Sequence, residues 1–280
     1  MLTAEPRSLL RVAAIQMVSG ASLDDNLKSA DALLAQAAQQ GAKLALLPEY
    51  FCLLGASDRD KVAIREQPGT GPIQQFLADA ARRHQMWLVG GTMPLACDDP
   101  ARVRNATLVF GPDGACAVRY DKIHLFGFAT ERERYDESQT IEAGRDPVAA
   151  TIEIDGTPLR IGLSVCYDLR FPELYRKLGA TQPLDLILMP AAFTATTGQA
   201  HWEVLLRARA IENQCYLLAA AQGGKHDNGR RTWGQSMLVD PWGEIVAQQE
   251  TGPGVVCGEL DFARLRAIRQ QLPALSHRVL

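Results

Sequence analysis

The sequence predicts an α/β fold, a four-layer α-β-β-α sandwich of two mixed sheets with an internal pseudo-two-fold repeat; a single doubly wound sheet is the alternative. Three observations predict it. Strand-like and helix-like segments alternate along the 280 residues, a pattern that builds sheets covered by helices. Each half of the chain also carries an antiparallel hairpin, so each sheet must mix parallel and antiparallel strands. The same order of elements occurs twice, over about 10–122 and 159–260, which predicts one pseudo-symmetric domain spanning 1–280.

In the first half, LRVAAIQM (10–17) reads as a strand and DDNLKSADALLAQAAQQG (24–41) as a helix, with an aspartate cap at its start and Gly41 at its end. KLALLPEYF (43–51) is a second strand. GPIQQFLADAARRHQ (71–85) is a helix with Pro72 in its first turn, where a missing amide donor costs nothing. MWLVGGTMP (86–94) is a third strand, and NATLVFGPDGACAVRYDK (105–122) is a hairpin turned by Pro-Asp-Gly. EAGRDPVAA (142–150) is the expected junction between the halves.

The second half repeats that order: strand LRIGLSVC (159–166), helix PELYRKLGA (172–180), strand DLILMPAAF (185–193), helix HWEVLLRARAIENQ (201–214), strand CYLLAAAQ (215–222) and hairpin QSMLVDPWGEIVAQQ (235–249). Pro48 matches Pro190, and FGPDG (110–114) matches VDPWG (239–243). GGKHDNGRR (223–231) reads as a mobile loop, with a basic phosphate site as a second reading.

The 29 basic and 32 acidic residues are well mixed and leave a formal charge of -3, without the basic footprint that nucleic acid or an anionic membrane requires. A small-molecule partner is expected. The six cysteines are scattered, with neither a C-x-x-C pair nor cysteine and histidine at zinc-ligand spacing. No metal or cofactor is expected. The N-terminal MLTAEPRSLLRVAAIQM has an early acid and only a short apolar run, unlike a signal peptide, and the chain reads as cytoplasmic.

The repeat supplies an internal control, because a reactive group present in only one half is poorly explained by the fold. Cys166 pairs with Met17, and Glu49 pairs with Ala191. Cys166 sits where an apolar strand gives way to a turn, although a free cysteine more often packs as a small hydrophobe. Glu49 is an acid in an otherwise apolar stretch, where desolvation favours a proton-accepting role. Lys122 follows a strand and precedes apolar IHLFGF; a snorkelling surface lysine is the plain alternative. All three fall at the far ends of strands, where open α/β sheets place ligands. Together they suit acyl transfer: a thiol nucleophile, a carboxylate proton carrier and a cation for the oxyanion, with the Tyr167 backbone N–H as a second oxyanion donor.

LLPEYF, YDKIHLF and SVCYDLRFPE, in that order, resemble the Glu-Lys-Cys motifs of the nitrilase (carbon-nitrogen hydrolase) superfamily, and the likeness extends over roughly 11–278. The resemblance implies Glu49 as base, Lys122 as oxyanion cation, Cys166 as nucleophile and, through YDES, Glu137 as a second glutamate positioning substrate or water. It implies the four-layer fold, a homodimer formed through helices near the nucleophile, and no cofactor. Within the superfamily, LRARAIENQCYLLAAAQ, SMLVDPWG and LPALSHR resemble the branch acting on deaminated glutathione, whereas TTG, AHWE and PWG are shared with omega-amidases.

The activity so implied is hydrolysis of deaminated glutathione to 2-oxoglutarate and cysteinylglycine, a metabolite repair. An omega-amidase acting on 2-oxoglutaramate is the alternative within the class, and a non-catalytic scaffold on the same fold is the alternative outside it. Arg170 is a candidate for a substrate carboxylate, with a structural pair to Asp168 or Glu173 equally open. Trp202 and Glu203 read as packing and ion-pair residues, with Arg207 and Arg209 as partners. The five histidines are assigned to neither metal nor catalysis.

Overall fold

The computed structural model describes residues 9–131 and 134–279. The N-terminal reading and the middle of the loop after Phe126 fall partly on 1–8 and 132–133, outside the described residues. The first half runs β1 (Leu9–Gln16), α1 (Leu23–Gln39), β2 (Leu44–Leu46), a short α2 (Asp60–Ala63), α3 (Pro72–His84), β3 (Trp87–Val89), β4 (Met93–Ala96), β5 (Val103–Phe110) and β6 (Cys116–Asp121). A small hairpin of β7 (Gly127–Ala129) and β8 (Arg134–Asp136) follows. The second half runs β9 (Ala149–Ile154), β10 (Thr157–Leu163), α4 (Pro172–Leu178), β11 (Leu186–Ala191), α5 (Ala195–Asn213), β12 (Tyr216–Ala221), β13 (Ser236–Val239) and β14 (Ile245–Gln249). The described chain closes with β15 (Gly254–Asp261) and α6 (Phe262–Gln271).

Two large mixed sheets result. One is ordered β15-β1-β2-β3-β5-β4, with β6 also paired to β5; the other is ordered β14-β13-β12-β11-β10-β9. Each has three central parallel strands, β1-β2-β3 and β10-β11-β12, flanked by antiparallel neighbours. The two-residue period of a strand then sorts the side chains. Val12, Ala14, Leu44 and Leu46 join Ile161, Leu163 and Leu217 of the other sheet in one apolar cluster. Ala13, Ile15, Ala45 and Leu47 instead join Leu33 and Leu34 of α1 and Leu77 and Ala81 of α3. Tyr175 of α4 and Trp202 and Leu206 of α5 cover the second sheet. The layers are therefore α-β-β-α, and each fully buried leucine or isoleucine contributes about 1.5–3 kcal/mol relative to exposure.

Several local readings change. Ser22, not an aspartate, caps α1, its side chain accepting from the Asp25 N–H. The expected third strand divides at Gly90-Gly91 into β3 and β4, which pair in turn along one edge of β5 while β6 takes the other. Helix α5 starts six residues earlier than expected, where Thr194 accepts from the Thr197 N–H. The expected junction ends inside β9, and β15 and α6 were not anticipated. Residues 223–231 fold back on themselves through the bridge Lys225↔Arg231, and buried His226 contacts the Ser19 carbonyl and the Thr232 hydroxyl. No helix among the described residues is long and apolar enough to cross a membrane.

Candidate active site

Strand β2 stops at Leu46, and the next residues turn inward: Pro48, then Glu49, then Tyr50 with φ of 57°. Gly91 makes that turn possible. Its own φ is 51°, and a Cβ there would collide with the Pro48 carbonyl oxygen. Strand β10 likewise ends at Leu163, and Cys166 starts a five-residue 3-10 turn with φ of 50°. Gln85 and Gln214 adopt positive φ at helix ends, an ordinary place for it. At Tyr50 and Cys166 no helix end requires it, and such strain gathers where a side chain must be held at an unusual angle.

These corners and the end of β6 converge. Lys122 Nζ donates to Glu49 Oε1 at 2.9 Å and to Glu137 Oε2 at 2.8 Å, with all three side chains buried or nearly so. Glu49 is not isolated, as its apolar sequence suggested. It also accepts from Asn105 Nδ2 at 3.0 Å and from the Ala192 N–H at 2.9 Å. Glu137 accepts from the Tyr50 hydroxyl at 2.7 Å and the Phe126 N–H at 2.7 Å. One buried ammonium thus stands between two buried carboxylates, each with further donors, the condition under which buried charges are tolerated.

The electrostatics follow from that arrangement. Burial works against the Lys122 charge, but Glu137 and Glu49 outweigh it and hold the ammonium well above its usual range. Burial would raise Glu137, yet the adjacent Lys122 holds it below the ordinary carboxylate range. Burial, and next the charge of Glu49, push the Cys166 thiol well above its usual value despite the opposing pull of Lys122. At neutral pH the resting sulfur is therefore a neutral thiol, whose proton must pass to a base as it attacks.

Asp168 fastens the cysteine turn to the lysine segment. It is fully buried and accepts from the Val165 N–H at 2.8 Å, the Tyr120 hydroxyl at 2.6 Å and the His124 N–H at 3.0 Å, while its Oδ1 lies 2.7 Å from His124 Nδ1. Asp168 is thus occupied with the frame and does not pair with Arg170. Arg170 lies over the rings of Tyr167 and Phe193, with its Nη1 3.2 Å from His201 Nδ1. Glu203 does pair with Arg207 at 3.2 Å, whereas Arg209 turns to Glu212 and the Leu169 carbonyl.

Cys166, Glu49, Glu137, Tyr167 and Arg170 line one narrow pocket of about 10 Å³, with Lys122 behind its carboxylates. That is room for roughly one water molecule, so an acyl chain enters only if side chains at the mouth move. Phe126 and Arg230 line the same pocket, and the sequence reading singled out neither as a residue of this site. Nor did it single out Asn105, Asp168 or the Ala192 N–H. Asn105 and Asp168 carried a weak signal, a polar side chain within an apolar or turn segment; a backbone N–H carried none. Among the described residues no group of three or more His, Cys, Asp or Glu is arranged to hold a metal ion.

Comparison with known proteins places the chain in a family. The model of the carbon-nitrogen hydrolase family matches residues 11–270. A deaminated glutathione amidase of Yersinia enterocolitica is 41% identical over 270 residues, covering 95% of this chain and 92% of that protein. An omega-amidase of Danio rerio is 35% identical over 273 residues, covering 97% and 95%. Among solved structures, the nitrilase and fragile histidine triad fusion protein of Caenorhabditis elegans superposes with a TM-score of 0.88 at 34% identity, over 98% of this chain and 66% of that one.

Proposed function

The chain belongs to the carbon-nitrogen hydrolase family and is a hydrolase of amides; from that premise we propose that it cleaves deaminated glutathione to 2-oxoglutarate and cysteinylglycine through a thioester on Cys166. The observation that carries the chemistry is the buried Glu49–Lys122–Glu137 ion cluster, whose carboxylates line the same pocket as the Cys166 thiol. Cys166 Sγ attacks the amide carbonyl carbon as its proton passes to Glu49. The resulting oxyanion is stabilised by the Lys122 ammonium and the Tyr167 N–H. Collapse breaks the C–N bond, and Glu49 returns the proton to the departing amine. Water then attacks the thioester, giving a proton to Glu49; the C–S bond breaks and the sulfur recovers that proton. Glu137 fixes Lys122 and positions the reacting group.

The substrate assignment is supported by the 41% identity to a deaminated glutathione amidase. The rival rests on the 35% identity to an omega-amidase. Measuring kcat/KM for deaminated glutathione, 2-oxoglutaramate and a simple nitrile with one preparation decides between them. The first should be highest. A higher value for 2-oxoglutaramate moves the chain to omega-amidase action, and a higher value for the nitrile overturns the amidase reading. In the same assay Arg170→Lys, which keeps the charge but loses the planar fork, should raise KM more than it lowers kcat if Arg170 holds the oxoacid carboxylate. A homodimer in the cytoplasm belongs to the same proposal. Val204 and Ile211 of α5 are 62% and 48% exposed, and all six cysteines are free. A monomeric mass in solution or a non-cytoplasmic cell fraction removes the respective part.

A further inference from the structure

Beside the narrow pocket lies a second cavity of about 550 Å³, walled by Tyr50, Leu53, Lys61, Tyr135, Asn228 and Arg230 among others. That volume falls within the range of small-molecule sites, about 300–1,000 Å³. Arg230 lines both spaces and therefore stands at their junction. The cavity is cationic: Lys61, Arg134, Arg230 and Arg231 line it against a single acid among the described residues, Asp58, which Lys61 already approaches at 3.4 Å. Lys61 is further held over the Tyr50 ring at 5.1 Å, and no ion pair among the described residues gives Arg134, Arg230 or Arg231 a carboxylate.

Arg134 and Arg231 are exposed, whereas Arg230 is half-buried. Its Nη2 donates to the Ala192 carbonyl at 3.1 Å and its guanidinium lies 5.1 Å from the centre of the Tyr135 ring. Its Nε is buried without a hydrogen-bond partner. Arg104, Arg209 and Arg264, by contrast, each hold a carboxylate, and no ion pair among the described residues gives one to Arg230. A buried donor left without a partner is costly, and a guanidinium fork suits a carboxylate that approaches edge-on.

Resting on the deaminated-glutathione reading, we propose that the wider cavity receives the amine leaving group and that Arg230 binds the carboxylate of that peptide-like amine. The scissile carbonyl must reach Cys166 in the narrow pocket, so the amine side of the amide projects past Arg230 into the wider space. A substrate that releases only ammonia makes no use of that space. The cavity would therefore set the preference for a long, anionic leaving group over a primary amide.

The test compares deaminated glutathione, its analogue with a glycinamide terminus, and 2-oxoglutaramate in the wild-type protein, Arg230→Gln and Arg230→Lys, each checked for an unchanged melting temperature. Arg230→Gln should lower kcat/KM for deaminated glutathione about 10–100-fold more than for 2-oxoglutaramate, chiefly through KM, and erase discrimination between carboxylate and carboxamide termini. Arg230→Lys should fall between. In parallel, cysteinylglycine should inhibit wild-type turnover of 2-oxoglutaramate better than cysteinylglycinamide does, and Arg230→Gln should abolish that difference. Equal losses on all three substrates, or no loss, overturn the assignment. The inhibition assay separates the two proposals: a wild-type preference for 2-oxoglutaramate removes the function proposed above while selective inhibition still reports the cavity. Equal inhibition by both dipeptides removes the cavity even where deaminated glutathione stays the best substrate.

Discussion

At the end of β2 the chain reads Leu-Leu-Pro-Glu-Tyr-Phe, and at the end of β11 it reads Leu-Met-Pro-Ala-Ala-Phe. In the second place Pro190 is still within the strand, paired with Ala220 of β12, and the chain runs on to Ala191. In the first place the strand has already stopped at Leu46 and the chain turns at Tyr50 to drive Glu49 into the core. The two ends then meet, because the Ala192 N–H after β11 donates to Glu49 at 2.9 Å. One copy of the corner supplies the charge and the other a fixed dipole that solvates it. Met17 and Cys166 differ in the same manner. Met17 stays bridged to Gln222 beyond β1, while Cys166 leaves its sheet through a positive φ. Reactive groups lie where one copy breaks the backbone pattern that the other keeps.

Removing the departure at Cys166 should have the largest effect. Cys166→Ala should abolish amide hydrolysis with the fold intact, whereas Cys52 and Cys215, which burial pushes up to about 12, should be dispensable for the chemistry. Steady-state turnover with the alanine variant near wild type would end the nucleophile assignment.

Next comes the charge that joins the two carboxylates. Lys122→Met should lose about 10²–10³ in kcat, the scale of a missing oxyanion donor, and should lower stability by about 3–5 kcal/mol because two buried carboxylates then lack their cation. Glu49→Gln should lose turnover comparably. Acyl-enzyme formation and hydrolysis near wild-type rates in either variant would withdraw its role. The pH dependence carries a sign. A thiol raised above its usual range gains thiolate only as pH climbs beyond that range, so alkylation of Cys166 should keep rising past pH about 9, taking the usual thiol range as about 8.5. Lys122 is the charge that pulls the thiol down, so Lys122→Met should shift that profile further upward. A plateau below pH about 8 in the wild-type protein, again relative to that range, would contradict the buried neutral thiol.

The layered fold was legible because its signals are local. Apolar runs such as 161–165, Pro72 at a helix start and Pro-Asp-Gly between strands act over a few residues, and the repeat doubled each signal. Even so, MWLVGGTMP read as one strand, because nothing local in the sequence shows that Gly91 lies against the Pro48 carbonyl and forces a break. The α1 cap was misplaced for a related reason: Ser22 and Asp24 are both good caps, and backbone geometry chose between them.

Glu49, Lys122 and Cys166 were legible as candidates because each ends an apolar strand and because the two half-sequences could be set against each other. That these ends meet was decided by packing two sheets face to face, which joins groups as far apart as Glu49 and Ala192. The polar groups that surround these candidates have no sequence period to announce them. Asn105 sits inside β5, Asp168 passes for an ion-pair partner of Arg170, and Arg230 lies in a strip that reads as loop. By itself the sequence determined where strands end and which reactive side chains stand there, because propensity and turn chemistry act between near neighbours. Only the tertiary structure decided which polar groups surround those side chains and what space lies beyond Arg230, because burial and hydrogen bonding depend on distance through space, to which separation along the chain is no guide.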